Sequence, residues 1–203
     1  MKRALCLTIL LALILLPAAL GEAPRTVEPM SAVLDLSSLP DGIYPVGFDR
    51  SNLSVGMISH AHLFTVDSYD MTDIGLLAVG DVIVVSGQSV PVTRIERGEY
   101  VAINGGLEDG GFLLRAYESD HCFRVAQEDD FPTYTDRGEV TLLLSEGFTF
   151  ADAWDIEAPP VLAVGADAVA EILASENEFF DPYSTTFTLE GGAVTCIERT
   201  YVP

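Results

Sequence analysis

The sequence predicts a mainly β fold, an antiparallel sandwich or barrel of short strands with one short helix near residues 166–175. Three observations predict it. Short runs rich in Val, Ile, Phe and Tyr recur along the chain, with turn residues between them about every eight to twelve positions, the spacing of sandwiches and barrels. The stretch Leu77–Glu96 has the form of a hairpin: Val82, Ile83, Val84 and Val85, then Ser86-Gly87-Gln88-Ser89, then Val90, Val92 and Ile95. One segment alone, Ala166–Ser175, carries sustained helical spacing, with Val169, Ile172 and Leu173 on one stripe.

In chain order, residues 1–21 have the layout of a secretory signal peptide. Lys2 and Arg3 precede an apolar run from Ala4 to Leu16, Pro17 breaks it, and Ala19-Leu20-Gly21 offers small residues for cleavage near Gly21. The run is shorter than the ~20 residues of a membrane-spanning helix, and no later stretch is apolar for as long. The expected location is therefore secreted, extracellular or in the cell envelope, with no transmembrane segment in the mature chain. Residues 22–30 read as a polar tether, and residues 31–203 as a single β-rich domain.

Within that domain, AVLDL from Ala32 leads through the turn Leu39-Pro40-Asp41-Gly42 into Ile43–Phe48, a hairpin pattern whose Pro45 demotes the second arm to an edge or bulged strand. Strands are expected at His60–Val66, 82–95, Glu99–Ile103, Phe112–Tyr117 and Cys122–Ala126. Ser68–Gly75 reads as irregular and acidic, and Gln127–Gly138 as polar and turn-rich. Val140–Leu144, Phe148–Phe150 and Val161–Val164 are further strands. The helix must dock its apolar stripe on a sheet, because ten residues do not hold a helix alone. Thr185–Leu189 and Ala193–Tyr201 flank Glu190-Gly191-Gly192 as a closing hairpin. VTRIER at 92–97 is echoed by VTCIER at 194–199, a match too short to mark a repeat.

Composition narrows the function classes. The full chain carries 31 acidic residues against ten lysines and arginines, and removal of the leader leaves eight arginines and no lysine. That charge repels nucleic acid and anionic membrane surfaces, so no nucleic-acid partner is expected. It suits solubility first, and cationic partners after it.

Candidate sites follow from residue type. His60 and His62 are two apart, so on a strand both imidazoles share one face and could meet a Zn²⁺ ion; two half-exposed histidines on an edge strand are the simpler reading. His121 and Cys122 have no spacing rule that links them to this pair. Asp67, Asp70 and Asp73 form a D-x-x-D-x-x-D run that could offer oxygens to Ca²⁺, although the spacing is not that of an EF-hand. Cys122 and Cys196 are the two cysteines left after the leader, and export would allow a disulfide between them; two separate buried thiols are the alternative. Glu139, Glu146, Asp152, Asp155 and Glu157 lie near Phe148, Phe150 and Trp154, the composition of a sugar-binding or sugar-cleaving cleft, but alternating phenylalanines are core by default. Tyr134 and Trp154 sit in polar segments and are better placed for exposed contacts. There is no G-x-S-x-G, no HExxH and no phosphate-binding loop.

Two readings follow. The first is a non-enzymatic extracellular binding or structural module without a required cofactor, whose partner is a glycan, a peptide or a cell-envelope component. The alternative is a small secreted hydrolase using paired carboxylates or a metal site around His60 and His62.

Overall fold

The computed structural model describes residues 23–30, 34–127, 129, 131–175 and 180–202; the leader expected over 1–21 lies outside them. Among these residues the chain forms β1 (Thr26–Val27), β2 (Gly42–Gly47), β3 (Leu53–Ser54), β4 (Met57–Val66), β5 (Ser68–Asp70) and helix α1 (Met71–Leu76). It continues through β6 (Val82–Val85), β7 (Gln88–Pro91), β8 (Ile95–Arg97), β9 (Tyr100–Ile103), β10 (Phe112–Tyr117) and β11 (Cys122–Ala126). The last elements are β12 (Tyr134–Ala153), β13 (Val161–Val164), helix α2 (Ala166–Ala174), β14 (Thr185–Glu190) and β15 (Ala193–Thr200). The fold is mainly β, as the strand and turn pattern predicts. No helix among the described residues is long and apolar enough to cross a membrane.

Five strands close on themselves. β12 pairs with β15, β15 with β14, β14 with β2, β2 with β4, and β4 returns to β12. The closure depends on the length of β12, whose first half pairs with β4 and whose second half pairs with β15 and β13. Closing the ring removes the open edges that a flat sheet would expose. Its interior is a cluster that includes Tyr44, Leu63, Phe148, Phe150, Phe187 and Ile197, sealed by Ala168, Val169 and Ile172 of α2. Pro45 is accommodated because β2 pairs with β4 only at Val46 and Gly47, so at Pro45 the strand has one partner, β14.

A second cluster lies between a five-stranded sheet (β5-β11-β10-β9-β8) and a three-stranded one (β1-β6-β7), with α1 against it. Tyr69 is buried there and donates its hydroxyl to the Val84 carbonyl at 2.7 Å. Burial, and then the Asp67 charge, hold its pKa well above the ordinary tyrosine value. The β6–β7 hairpin turns at Ser86-Gly87, both with positive φ, the geometry that matches strand twist.

Several expectations are corrected. The described part of 22–30 is not a free tether. Val27 is 2% exposed in the second cluster, β1 runs parallel to β6, and the Asp81 carboxylate accepts the Arg25 backbone N–H at 2.9 Å. A buried valine and a shared backbone ladder outweigh the polar composition around them. The first arm of the 31–48 hairpin lies partly outside the described residues; from Leu34 onward it is irregular, with Asp35 capping Ser37. The Ser68–Gly75 stretch holds β5 and α1, with Asp70 as the helix cap. Pairing is not wholly antiparallel, since β1–β6 and β12–β15 are parallel. The VT-x-IER echo has no structural counterpart: Val92–Arg94 is irregular before β8, whereas Val194–Arg199 lies within β15.

The turn between β9 and β10 yields one prediction. A Cβ on Gly111 would lie 1.9 Å from the Ile103 carbonyl oxygen, so backbone must move to admit any side chain. Gly111→Ala is expected to cost at least about 1–3 kcal/mol, measured by urea unfolding. Parental stability in that variant would show that the two backbones are not in contact.

Candidate functional site

The β12–β13 connection and the end of β15 form the walls of a cleft of about 550 Å³, lined by Asp152, Trp154, Asp155, Glu157, Ser175, Arg199 and Tyr201, with Ile156 beside them. Its position follows from strand alternation. Ile197 and Arg199 are two apart on β15, so both side chains enter the barrel end, and both are buried. A cation there requires a counter-charge, and Asp152 supplies it from the neighbouring strand, where Asp152 and Arg199 are direct register partners. The guanidinium donates to Asp152 through Nε at 3.1 Å and Nη2 at 2.5 Å, and Nη2 also reaches Ser175 Oγ at 2.7 Å. Three rings surround it: Phe180 at 4.5 Å, Trp154 at 5.7 Å and Phe150 at 5.8 Å. This pair fixes the cleft's floor.

Above it, Trp154 and Tyr201 meet edge to face, with centroids 5.8 Å apart. Two local turns hold the loop: Asp152 accepts the Trp154 backbone N–H at 3.0 Å, and Asp155 accepts that of Glu157 at 2.9 Å. Asp155 and Glu157 are exposed, and among the described residues no cation pairs with either. The aromatic surface continues past Trp154 into a second cavity of about 390 Å³, lined by Phe131, Tyr183, Asp129 and Asp181 among others. Tyr183 is edge-on to both Phe131 and Tyr134, and burial raises the Tyr134 pKa, with Tyr183 adding to it. The result is an aromatic trough with carboxylates along it.

The structure places the other candidate residues as follows. Asp67, Asp70 and Asp73 do not form one ligand set. Asp67 is buried and salt-bridged to Arg137, Asp70 caps α1, and Asp73 binds Arg25. Each carboxylate satisfies a different local group, and among the described residues no three His, Cys, Asp or Glu side chains converge as a cation site. The disulfide is also corrected: Cys122 and Cys196 are both free thiols, held in β11 and β15 of different sheets by packing that needs no cross-link. His121 occupies a left-handed turn position before β11. Phe148 and Phe150 are core. Of the carboxylates near them, Glu139 is taken by His60 and Asp152 by Arg199, Glu146 lines another cavity beside Phe148 and Gly165, and Asp155 and Glu157 stand in the cleft.

Arg199, Ser175 and Tyr201 carry the cleft and were not among the sequence candidates. The usable signal was an arginine at an inward strand position, two residues after Ile197, in a chain poor in cations. Comparison with protein-family models, curated proteins and solved structures gives no match.

Proposed function

We propose that this chain is an extracellular binding module whose trough, from Tyr201 past Trp154 to Tyr183, takes an extended cationic ligand such as a basic peptide or an amine-bearing polymer. The observation that carries the reading is the cleft itself: two aromatic rings set edge to face, with Asp155 and Glu157 exposed beside them and the buried Arg199 of the floor already paired with Asp152. Aromatic faces attract ammonium and guanidinium groups, by about 0.5–2 kcal/mol each. Unpaired carboxylates add attraction that falls with salt, and the overall excess of acidic residues draws such ligands in. The apolar leader pattern supports export.

Titration calorimetry of the chain with an oligo-lysine peptide and with a neutral oligosaccharide of similar length tests the reading. The peptide is expected to bind, more weakly as salt rises. Trp154→Ala is expected to weaken it about tenfold or more, and Asp155→Asn with Glu157→Gln to flatten the salt dependence. Salt-independent binding of the neutral sugar, still dependent on Trp154, would replace the cationic ligand by a glycan. Silence from both ligands would remove the proposal.

A further inference from the structure

Strand β4 breaks its alternation at one place. Ile58 and Ala61 are both buried although they are three apart, and their partners on β12 are Leu142 and Val140, two apart. The extra residue is absorbed at Ser59-His60, where His60 has φ 53. Such a bulge re-aims the side chains that follow it. His60 and His62 consequently share the outer face, and both line a cleft of about 640 Å³ walled by Phe48, Phe64 and Phe180.

Each imidazole is held from behind by a carboxylate of β12. His60 Nδ1 is 2.8 Å from Glu139 Oε1, and His62 Nδ1 is 2.9 Å from Asp136 Oδ2. An ionised carboxylate only accepts, so each Nδ1 carries the proton and, in the neutral ring, Nε2 carries the lone pair. Carboxylates hold metal-binding histidines in this way, fixing tautomer and ring orientation.

We propose that His60 and His62 form a two-imidazole site for a divalent transition-metal ion, with Glu139 and Asp136 as its outer carboxylates. The donor type favours Zn²⁺, Ni²⁺ or Cu²⁺ over Ca²⁺ and Mg²⁺, which prefer oxygen. Among the described residues no third His, Cys, Asp or Glu completes a cage. The site is thus an open one, with water or a ligand in the remaining positions. It lies in a different cleft from the trough, although Asp181 lines both, and it does not depend on the trough's function.

The test is calorimetric titration of the untagged chain with Zn²⁺ and with Ni²⁺. One ion per chain is expected. His60→Asn and His62→Asn are each expected to weaken binding about tenfold or more, and Glu139→Gln or Asp136→Asn by about 10- to 100-fold. Asparagine is the replacement at His60 because it tolerates the left-handed backbone there. His121→Asn should bind as the parent does. Circular dichroism and thermal melting of each variant separate a lost ligand from a lost fold. Absence of binding by the parent chain, or undiminished binding by the folded His60→Asn/His62→Asn double variant, would overturn the site.

Discussion

Asp152→Ala should lose about 3–5 kcal/mol of stability, the cost of removing one partner from a buried ion pair. The Arg199 side chain is 2% exposed and that of Asp152 16%, so the pair is largely shielded from solvent at the floor of the cleft. Ser175 and the rings of Phe180, Phe150 and Trp154 remain around Arg199. Replacing both partners by apolar residues, Asp152→Leu with Arg199→Met, should recover much of that loss, because the desolvation penalty disappears with the charges. The double-mutant cycle of Asp152→Ala and Arg199→Met should therefore show a coupling of about 0.5–3 kcal/mol, read from urea unfolding. An Asp152→Ala variant within 1 kcal/mol of the parent would mean that water or another neighbour compensates the Arg199 charge without Asp152. Asp152 also accepts the Trp154 backbone N–H, so the same variant should weaken binding in the trough, and the apolar pair should not restore it.

The strands were legible where chemistry is local. Phe112–Tyr117, Cys122–Ala126 and Val161–Val164 are observed at the bounds their sequence suggests, because glycine or polar turns flank apolar runs on both sides. β12 was not legible as one strand. Its first third, Tyr134 to Glu139, has the polar, glycine-bearing composition of a turn, and only the non-local partner β4 makes it a strand. The parallel β12–β15 ladder is hidden for the same reason: pairing across more than forty positions leaves no mark on either segment alone. The helix α2 was legible from its stripe, whereas α1 was obscured by an acidic run of which Asp70 is its cap. In the trough, Trp154, Asp155 and Glu157 stood out by type. Arg199 did not, because its meaning comes from a partner on another strand.

The second large effect is expected at Asp67, where a metal-ligand reading and a structural one give opposite results. Asp67 joins β4 to β5 and is 1% exposed. One oxygen accepts from Arg137 Nη2 at 3.0 Å and the other from the Ser86 backbone N–H at 2.5 Å, while Arg137 Nε donates to Thr65 Oγ1 at 2.6 Å. The carboxylate thereby ties the barrel strands β4 and β12 to the β6–β7 turn of the second core. Asp67→Ala removes the counter-charge of Arg137 and the acceptor of a turn N–H at once. Arg137 keeps a quarter of its side chain in solvent, 25%, so the loss should fall near the lower end of the 3–5 kcal/mol range, about 3 kcal/mol. Asp70→Ala should cost less, since it removes one cap from a six-residue helix, and Asp73→Ala least, since its pair with Arg25 is half-exposed. A calcium loop would behave otherwise: all three variants would lose a similar amount, in Ca²⁺ and not in EDTA. Thermal melts in both conditions decide the matter. The graded order, unchanged by EDTA, is the expected result, because each of these aspartates answers to a different neighbour.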